Sequence, residues 1–361
     1  MTAAEDCLTA AFDFELDPEL VAQHPAERRD ASRLMVVGPT GNEHRRFSDL
    51  AEYFAAGDVL VLNETRVIAA RLRGRREPSG GAAEFLLLHP ARSARYQSDA
   101  LRWVALAKPA RRLRAGERVV FENAGSATVV AELSDGLREI EIASGLPFEA
   151  FLAKAGTLPL PPYIHNDSVQ AQERYQTVFA RVPGSVAAPT ASLHFTPELL
   201  ARLASRGVEI VRVALDVGLG TFRPMTAERV DEHAMHAETY AIEPPAAAAL
   251  EAARAAHRRI VAAGTTVVRA LEGNIRTHGR IVPGEHATDL FIRPGFDFRV
   301  VDAMITNFHL PRSSLLVLVS AFAGRRRMLD AYREAAALRY RFFSFGDAML
   351  VLARSPQAGS P

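Results

Sequence analysis

The chain has one cysteine, Cys7, among 361 residues. A lone cysteine excludes an intrachain disulfide and any zinc site built from cysteines. Lysine is nearly absent too: Lys108 and Lys154 are the only two, so almost every basic side chain is an arginine. No hydrophobic run is long. The most apolar late stretch, residues 315–323, is about half a membrane span and reads as core. Residues 1–17 are acidic and lack the basic segment and apolar run of a secretory signal. The expectation is a soluble cytoplasmic protein. Net charge is only +1, so overall charge does not announce a polyanion binder.

What is present is uneven. Hydrophobic residues make up 48% of the chain, enough at this length for one large core and a second, smaller one. Between Arg66 and Arg118 there are thirteen Lys or Arg against four Asp or Glu, an excess of nine. That is the footprint expected for contact with a polyanion, unless it reflects an arginine-rich composition.

The texture changes along the chain. Short helices and strands alternate up to residue 66, including a strand at 33–37, a helix at 47–56 and a strand at 58–62. From Val67, six strand-like runs follow with no helix between them: 67–73, 82–89, 101–107, 118–121, 127–133 and 137–142. Gly80-Gly81, Gly125 and Asp135-Gly136 punctuate them as hairpin turns. This predicts a small closed β-barrel. Alternation resumes with a helix at 148–155 and a stiff, proline-rich segment at 156–164 that could be a hinge or a cleft wall. The fold class predicted is therefore an α/β main domain, a mixed sheet flanked by helices, with an inserted small all-β barrel domain. The main domain would comprise residues 1–66 and 156–361, and the insertion 67–155. Further on, the pattern predicts a helix at 246–257, a strand at 259–263, a flexible loop at 274–288, a buried helix from Ser313 and a helix at 325–340.

Residues 184–196 read GSVAAPTASLHFT, small and hydroxyl-rich. Small residues allow close backbone approach to a ligand. Thr196 and Pro197 start a helix, whose N-terminus offers free N–H groups and favours negative charge. His194 stands at that junction and could shuttle a proton, or simply pack. Arg28 and Arg29, after the Pro25 turn, could hold a phosphate or carboxylate, or lie in a solvated ion-pair cluster. His233, His236 and Glu238 are close enough to suggest metal ligands, but their spacing fits neither a helix face nor the zincin pattern. Substrate contact or proton transfer suits them better. His309, in TNFHLP, is a further polar group among apolar neighbours.

The order of these stretches carries more than any one alone. QHPAERRDASRL (23–34), GDVLVLNETRVIAARL (57–72), LPLPPYI (158–164), ERYQTVFA (173–180), GSVAAPTASLHFT (184–196), VGLGTFRP (217–224), EHAMHAETY (232–240), VAAGTTVVRALE (261–272), TNFHLPRSSLLVLVSAFAG (306–324) and YRFFSFGDAML (340–350) together resemble the S-adenosylmethionine:tRNA ribosyltransferase-isomerase family of queuosine biosynthesis. The resemblance implies transfer and isomerisation of the ribosyl part of S-adenosylmethionine onto 7-aminomethyl-7-deazaguanine at the tRNA wobble position. Epoxyqueuosine-tRNA forms, and adenine and methionine leave. It implies S-adenosylmethionine as co-substrate, with no prosthetic group and no metal; a monomer is expected, and the basic region 66–118 in the barrel is expected to contact tRNA. Proton transfer would fall to His194 and His236, with His233 and His309 as second choices. Glu238 would orient a histidine or the amine. Asn307, Thr190 and Tyr175 would bind nucleoside edges, and Arg28 or Arg29 the methionine carboxylate. Two positions depart from the family pattern: Ser192 replaces a glycine and Asp216 a histidine, so Asp216 is expected to bind rather than catalyse. A non-catalytic or substrate-diverged RNA-binding relative, and a metal-dependent hydrolase, remain the competing functions.

Overall fold

A computed structural model describes residues 5–91, 101–166, 168–216, 218, 225–235 and 237–352. A nine-stranded sheet runs through it in the order Gly284–Thr288, Glu238–Ile242, Glu209–Leu215, Val59–Asn63, Ile260–Ala263, Ala303–Asn307, Ala348–Leu352, Arg33–Val37 and Asn42–Arg46. The four strands from Glu209–Leu215 to Ala303–Asn307 are mutually parallel, and antiparallel strands lie to either side. Parallel strands are covered on both faces, which is why Val59–Asn63 and Ala303–Asn307 are buried at every residue.

Alternate side chains enter two cores. Met35, Val59, Val61, Val213 and Met304 face the helices Pro244–Ala255, Thr265–His278, Ser314–Ala323 and Arg325–Ala337. Leu34, Leu60, Leu62 and Ile305 face the helix Pro197–Ser205 and the 3-10 helix Phe47–Tyr53. Thr196 caps Pro197–Ser205 by accepting from Leu199 N–H at 3.2 Å, with proline at the first position as expected.

The second sheet closes on itself. The strands Arg71–Glu77, Ala82–Pro90, Arg102–Lys108, Leu137–Ala143, Gly125–Glu132 and Arg118–Phe121 pair antiparallel in that order, and Arg75–Glu77 then pairs with Arg118–Val120. Its own core holds Trp103, Phe85 and Phe121, and the helix Phe148–Ala155 adds Phe148, Phe151 and Leu152. The α/β main body with an inserted small all-β barrel is thus what the chain forms.

Three expectations are corrected. The helix expected at 47–56 is a 3-10 helix that ends at Tyr53. The first barrel strand begins at Arg71, because Thr65–Val67 pairs instead with Val182–Ser185. Residues 274–288 are not a loop: the helix runs on to His278, and Gly284–Thr288 pairs with Glu238–Ile242. Buried Asn274 organises that return, accepting from Val282 N–H at 2.8 Å and donating to its carbonyl at 3.2 Å.

Closure leaves no room at Gly74. A Cβ there would lie 2.5 Å from the Val120 carbonyl oxygen and 2.7 Å from the Val119 side chain. Gly74→Ala should therefore destabilise the protein by about 1–3 kcal/mol, as overpacking does. Thermal or urea unfolding measures it, and an unshifted transition would mean the barrel seam yields freely.

Candidate active site

The four parallel strands end on one edge of the sheet, where open α/β sheets bind ligands. At that edge lies a cleft lined by Thr190, Gly264, Thr265, Thr266, Asn307 and His309 among others. Gly264, at φ +103°, turns the strand Ile260–Ala263 directly into the helix Thr265–His278. Ser313 caps a second helix at the cleft by accepting from Leu316 N–H at 3.2 Å. Two helix N-termini therefore bring backbone donors and positive potential to one wall.

His194 is buried behind this cleft with both ring nitrogens engaged. Asn307 Nδ2 donates to its Nε2 at 3.0 Å. Nδ1 is therefore the protonated nitrogen and donates to Ser32 Oγ at 2.8 Å, and Ser32 donates on to the Arg29 carbonyl at 3.3 Å. Burial holds the His194 pKa down to about 4, against the counter-pull of Asp347. The ring is neutral at pH 7 and fixes the Asn307 amide, whose Oδ1 is buried without a hydrogen-bond partner among the described residues. Such an acceptor suits an N–H brought by a ligand.

His309 lines the cleft itself. Its Nε2 hydrogen-bonds Thr306 Oγ1 at 2.9 Å, and burial lowers its pKa to about 3. Its backbone N–H donates to Tyr332 Oη at 3.0 Å.

A smaller pocket adjoins, lined by Arg29, Ser32, Arg174, His194 and Ser344 among others; Ser344 lines the larger cleft as well. Thr190, Asn307 and His309 thus come together in the cleft, and Arg29 and His194 in the pocket beside it.

The remaining candidates lie elsewhere. Arg28 is exposed and pairs with Asp30 at 3.1 Å. Tyr175 is fully buried, edge-on to Phe345 at 5.9 Å in a satellite core with Leu160 and Ile164 from the proline-rich segment, and lines neither cavity. Its ring is packed in that core, behind the cleft-lining Ala188 and Ser344. Glu238 is buried and ion-paired with Arg269, which answers its charge within the fold. His233 packs edge-to-face on Phe291 at 5.5 Å. Asp216 follows the strand Glu209–Leu215 at the cleft's edge of the sheet, and its Oδ2 accepts from Thr239 Oγ1 at 3.1 Å. Three strand spacings, about 14 Å, separate that strand from Ala303–Asn307. Ser192 is fully buried and its hydroxyl has no hydrogen-bond partner. His236 and most of residues 217–224 lie outside the described residues. Ser32, Arg174, Thr265, Thr266 and Ser344 were not singled out from sequence. Gly264-Thr-Thr at a strand-to-helix turn was the one local signal available.

A family model described as "Queuosine biosynthesis protein" matches residues 9–351. A relative from Symbiobacterium thermophilum named S-adenosylmethionine:tRNA ribosyltransferase-isomerase is 54% identical over 94% of this chain and 98% of its own length. One of the same name from Moorella thermoacetica is 51% identical over 94% and 98%. The crystal structure of S-adenosylmethionine tRNA ribosyltransferase from Thermotoga maritima is 38% identical, with a TM-score of 0.53, covering 95% of this chain and 100% of that one. With both cores, the barrel and the cleft all inside the matched span, the chain belongs to the queuosine biosynthesis protein family, alongside the S-adenosylmethionine:tRNA ribosyltransferase-isomerases.

Proposed function

We propose that this chain is itself an S-adenosylmethionine:tRNA ribosyltransferase-isomerase. It transfers and isomerises the ribosyl moiety of S-adenosylmethionine onto 7-aminomethyl-7-deazaguanine at the tRNA wobble position, giving epoxyqueuosine-tRNA and releasing adenine and methionine. The carrying observation is 54% identity to an enzyme of that name along 94% of the chain. S-adenosylmethionine is a co-substrate, and the reaction as proposed needs neither prosthetic group nor metal. Among the described residues no helix is long and apolar enough to cross a membrane. We place the reaction in the cytoplasm and assign it to a monomer.

The chemistry removes a proton from the carbon beside the sulfonium and returns one to the departing adenine. His309, neutral and facing the cleft, is positioned to exchange a proton with a ligand there. His194 acts one step back, holding Asn307 so that Oδ1 accepts from a nucleoside N–H. Thr190 supplies a further polar contact. His233 and His236 follow the glycine-rich stretch 217–224 in sequence, and we assign them to the tRNA-side substrate; Glu238, held by Arg269, would orient them. Asp216, at the far side of the same sheet edge, is assigned to substrate binding rather than to proton transfer.

Residues 67–155, taken as the inserted domain, contact the tRNA backbone. The arginine excess there is only partly free. Arg71 and Arg73 lie against Glu84, Arg76 against Glu117, Arg102 against Glu139 and Glu141, and Arg118 against Glu77. Lys108, Arg111, Arg112 and Arg114 are exposed and have no ion pair among the described residues.

Purified protein should release adenine from S-adenosylmethionine only when tRNA carrying the modified base is present, and should do so after exhaustive chelation. Tight tRNA binding without adenine release would instead identify a non-catalytic relative. Metal-restored turnover would point to a metal-dependent enzyme.

Replacing Arg111, Arg112 and Arg114 by glutamine should weaken tRNA binding and flatten its log–log salt slope by roughly two, while leaving S-adenosylmethionine affinity alone. An unaltered slope would make these arginines bystanders.

The two buried histidines also predict acid sensitivity. Folded pKa values of about 4 for His194 and about 3 for His309 lie below the ordinary 6.5, so the unfolded chain binds more protons as pH falls through that window. Their contribution to stability is complete above 6.5 and is lost progressively towards pH 4 and below. The melting temperature should drop on acidification, and drop less in His309→Gln. Equal drops in both proteins would show that His309 is not held neutral.

A further inference from the structure

The smaller pocket holds two guanidinium groups with no acid to answer them. Arg29 donates from one Nη1 to the carbonyls of Leu193, at 3.0 Å, and Arg174, at 3.4 Å. Arg174 donates to the carbonyls of Glu27 at 2.9 Å and Ala26 at 2.8 Å, and its buried Nε has no partner. Neither arginine forms an ion pair among the described residues. Two carboxylates nearby are paired with other arginines, Asp30 through Oδ2 alone. Asp30 pairs with Arg28 at 3.1 Å. Asp347 pairs with Arg33 at 3.1 Å and also accepts the backbone N–H groups of Arg33 and Arg341, at 2.9 and 2.8 Å.

Two like charges held together in a partly desolvated pocket are costly unless an anion joins them. The Arg29 guanidinium shows that cost: burial first, and Arg174 second, bring its pKa down to about 10. Backbone carbonyls have already fixed both side chains, so little further ordering is needed when an anion binds. Arg29 keeps Nε and Nη2 uncommitted, a fork that fits two oxygens of one anion. Ser344, whose hydroxyl is 2.5 Å from Tyr163 Oη, faces both this pocket and the larger cleft. A ligand in the cleft can thus place an anionic group here.

We propose that Arg29 and Arg174, with Ser344, form an oxyanion subsite for a carboxylate or phosphate whose parent molecule occupies the adjoining cleft. This rests on the reading above for its two sources, the carboxylate of S-adenosylmethionine and a phosphate of the tRNA. Arg174 is the residue this assignment adds.

Arg29→Gln and Arg174→Gln, checked for unchanged melting, are titrated with S-adenosylmethionine, its decarboxylated analogue and tRNA. A carboxylate site predicts S-adenosylmethionine affinity about ten- to a hundredfold lower in each variant, with the decarboxylated analogue binding both variants as it binds the wild type. A phosphate site predicts weaker tRNA binding and a shallower salt slope instead, with S-adenosylmethionine unaffected. No change in either affinity overturns the subsite. Inorganic sulfate added to the wild type tests it without any substitution or assumption about turnover. Saturable thermal stabilisation that S-adenosylmethionine or tRNA competes away supports the subsite, and an absent or non-saturating effect overturns it. A silent adenine assay beside saturable sulfate binding would sink the ribosyl-transfer reading alone.

Discussion

Buried polar side chains must find partners inside the protein, and at the carboxyl edge of the central strands that requirement arranges everything else. Asn63 is fully buried there; its Oδ1 accepts from Thr65 N–H and Leu215 N–H, both at 3.0 Å, and its amide donates to the Leu215 carbonyl at 3.3 Å. It thereby locks two adjacent strands at the point where each leaves the sheet. Asn307, His194 and Ser32 form a second chain, joining one strand end to the small-residue stretch and to the turn that carries Arg29. Asp347 forms a third, gathering Arg33 and Arg341. Removing any member strands its partners in a low-dielectric interior. The cleft therefore has a fixed rim, and within it the Asn307 acceptor is left over for a ligand.

The barrel obeys a different rule. Its core is separate from the two that cover the large sheet, and it is built mainly from aliphatic side chains around Trp103, Phe85, Phe121, Phe148 and Phe151. Its surface arginines are largely neutralised in cross-strand pairs, which are worth little individually when exposed. They remove charge from the barrel wall and leave Lys108 to Arg114 as the concentrated positive end. A count of arginines along the sequence overstates the free charge. The pairing partners Glu139 and Glu141 lie beyond the stretch in which the excess was counted.

The succession of barrel strands, the turn glycines and the Thr196–Pro197 helix start were legible because each rests on local chemistry: period-two alternation, positive φ and capping. The site was legible in part. Thr190, Asn307 and His309 meet in one cavity although 117 residues separate the first two. Tyr175 shows the limit. Its neighbour Arg174 lines the smaller pocket, but the Tyr175 ring itself is turned into the satellite core, edge-on to Phe345. Residues 274–288 misled for a related reason. Gly279 at φ +72° is a helix stop, and the strand beyond is held by Asn274 and by its neighbour.

The sequence by itself determined the family, the two-part architecture, the order of elements and the residue types available for chemistry. These are properties of local pattern and of motifs in a fixed order. The tertiary structure alone decided which polar groups are spent and which are free. Glu238 is spent on Arg269, and His194 on Ser32 and Asn307. Arg29 and Arg174 have found only carbonyl oxygens. That allocation depends on contacts between segments as far apart as residues 32 and 194, or 194 and 307, and on desolvation, which exists only once the chain has closed around them.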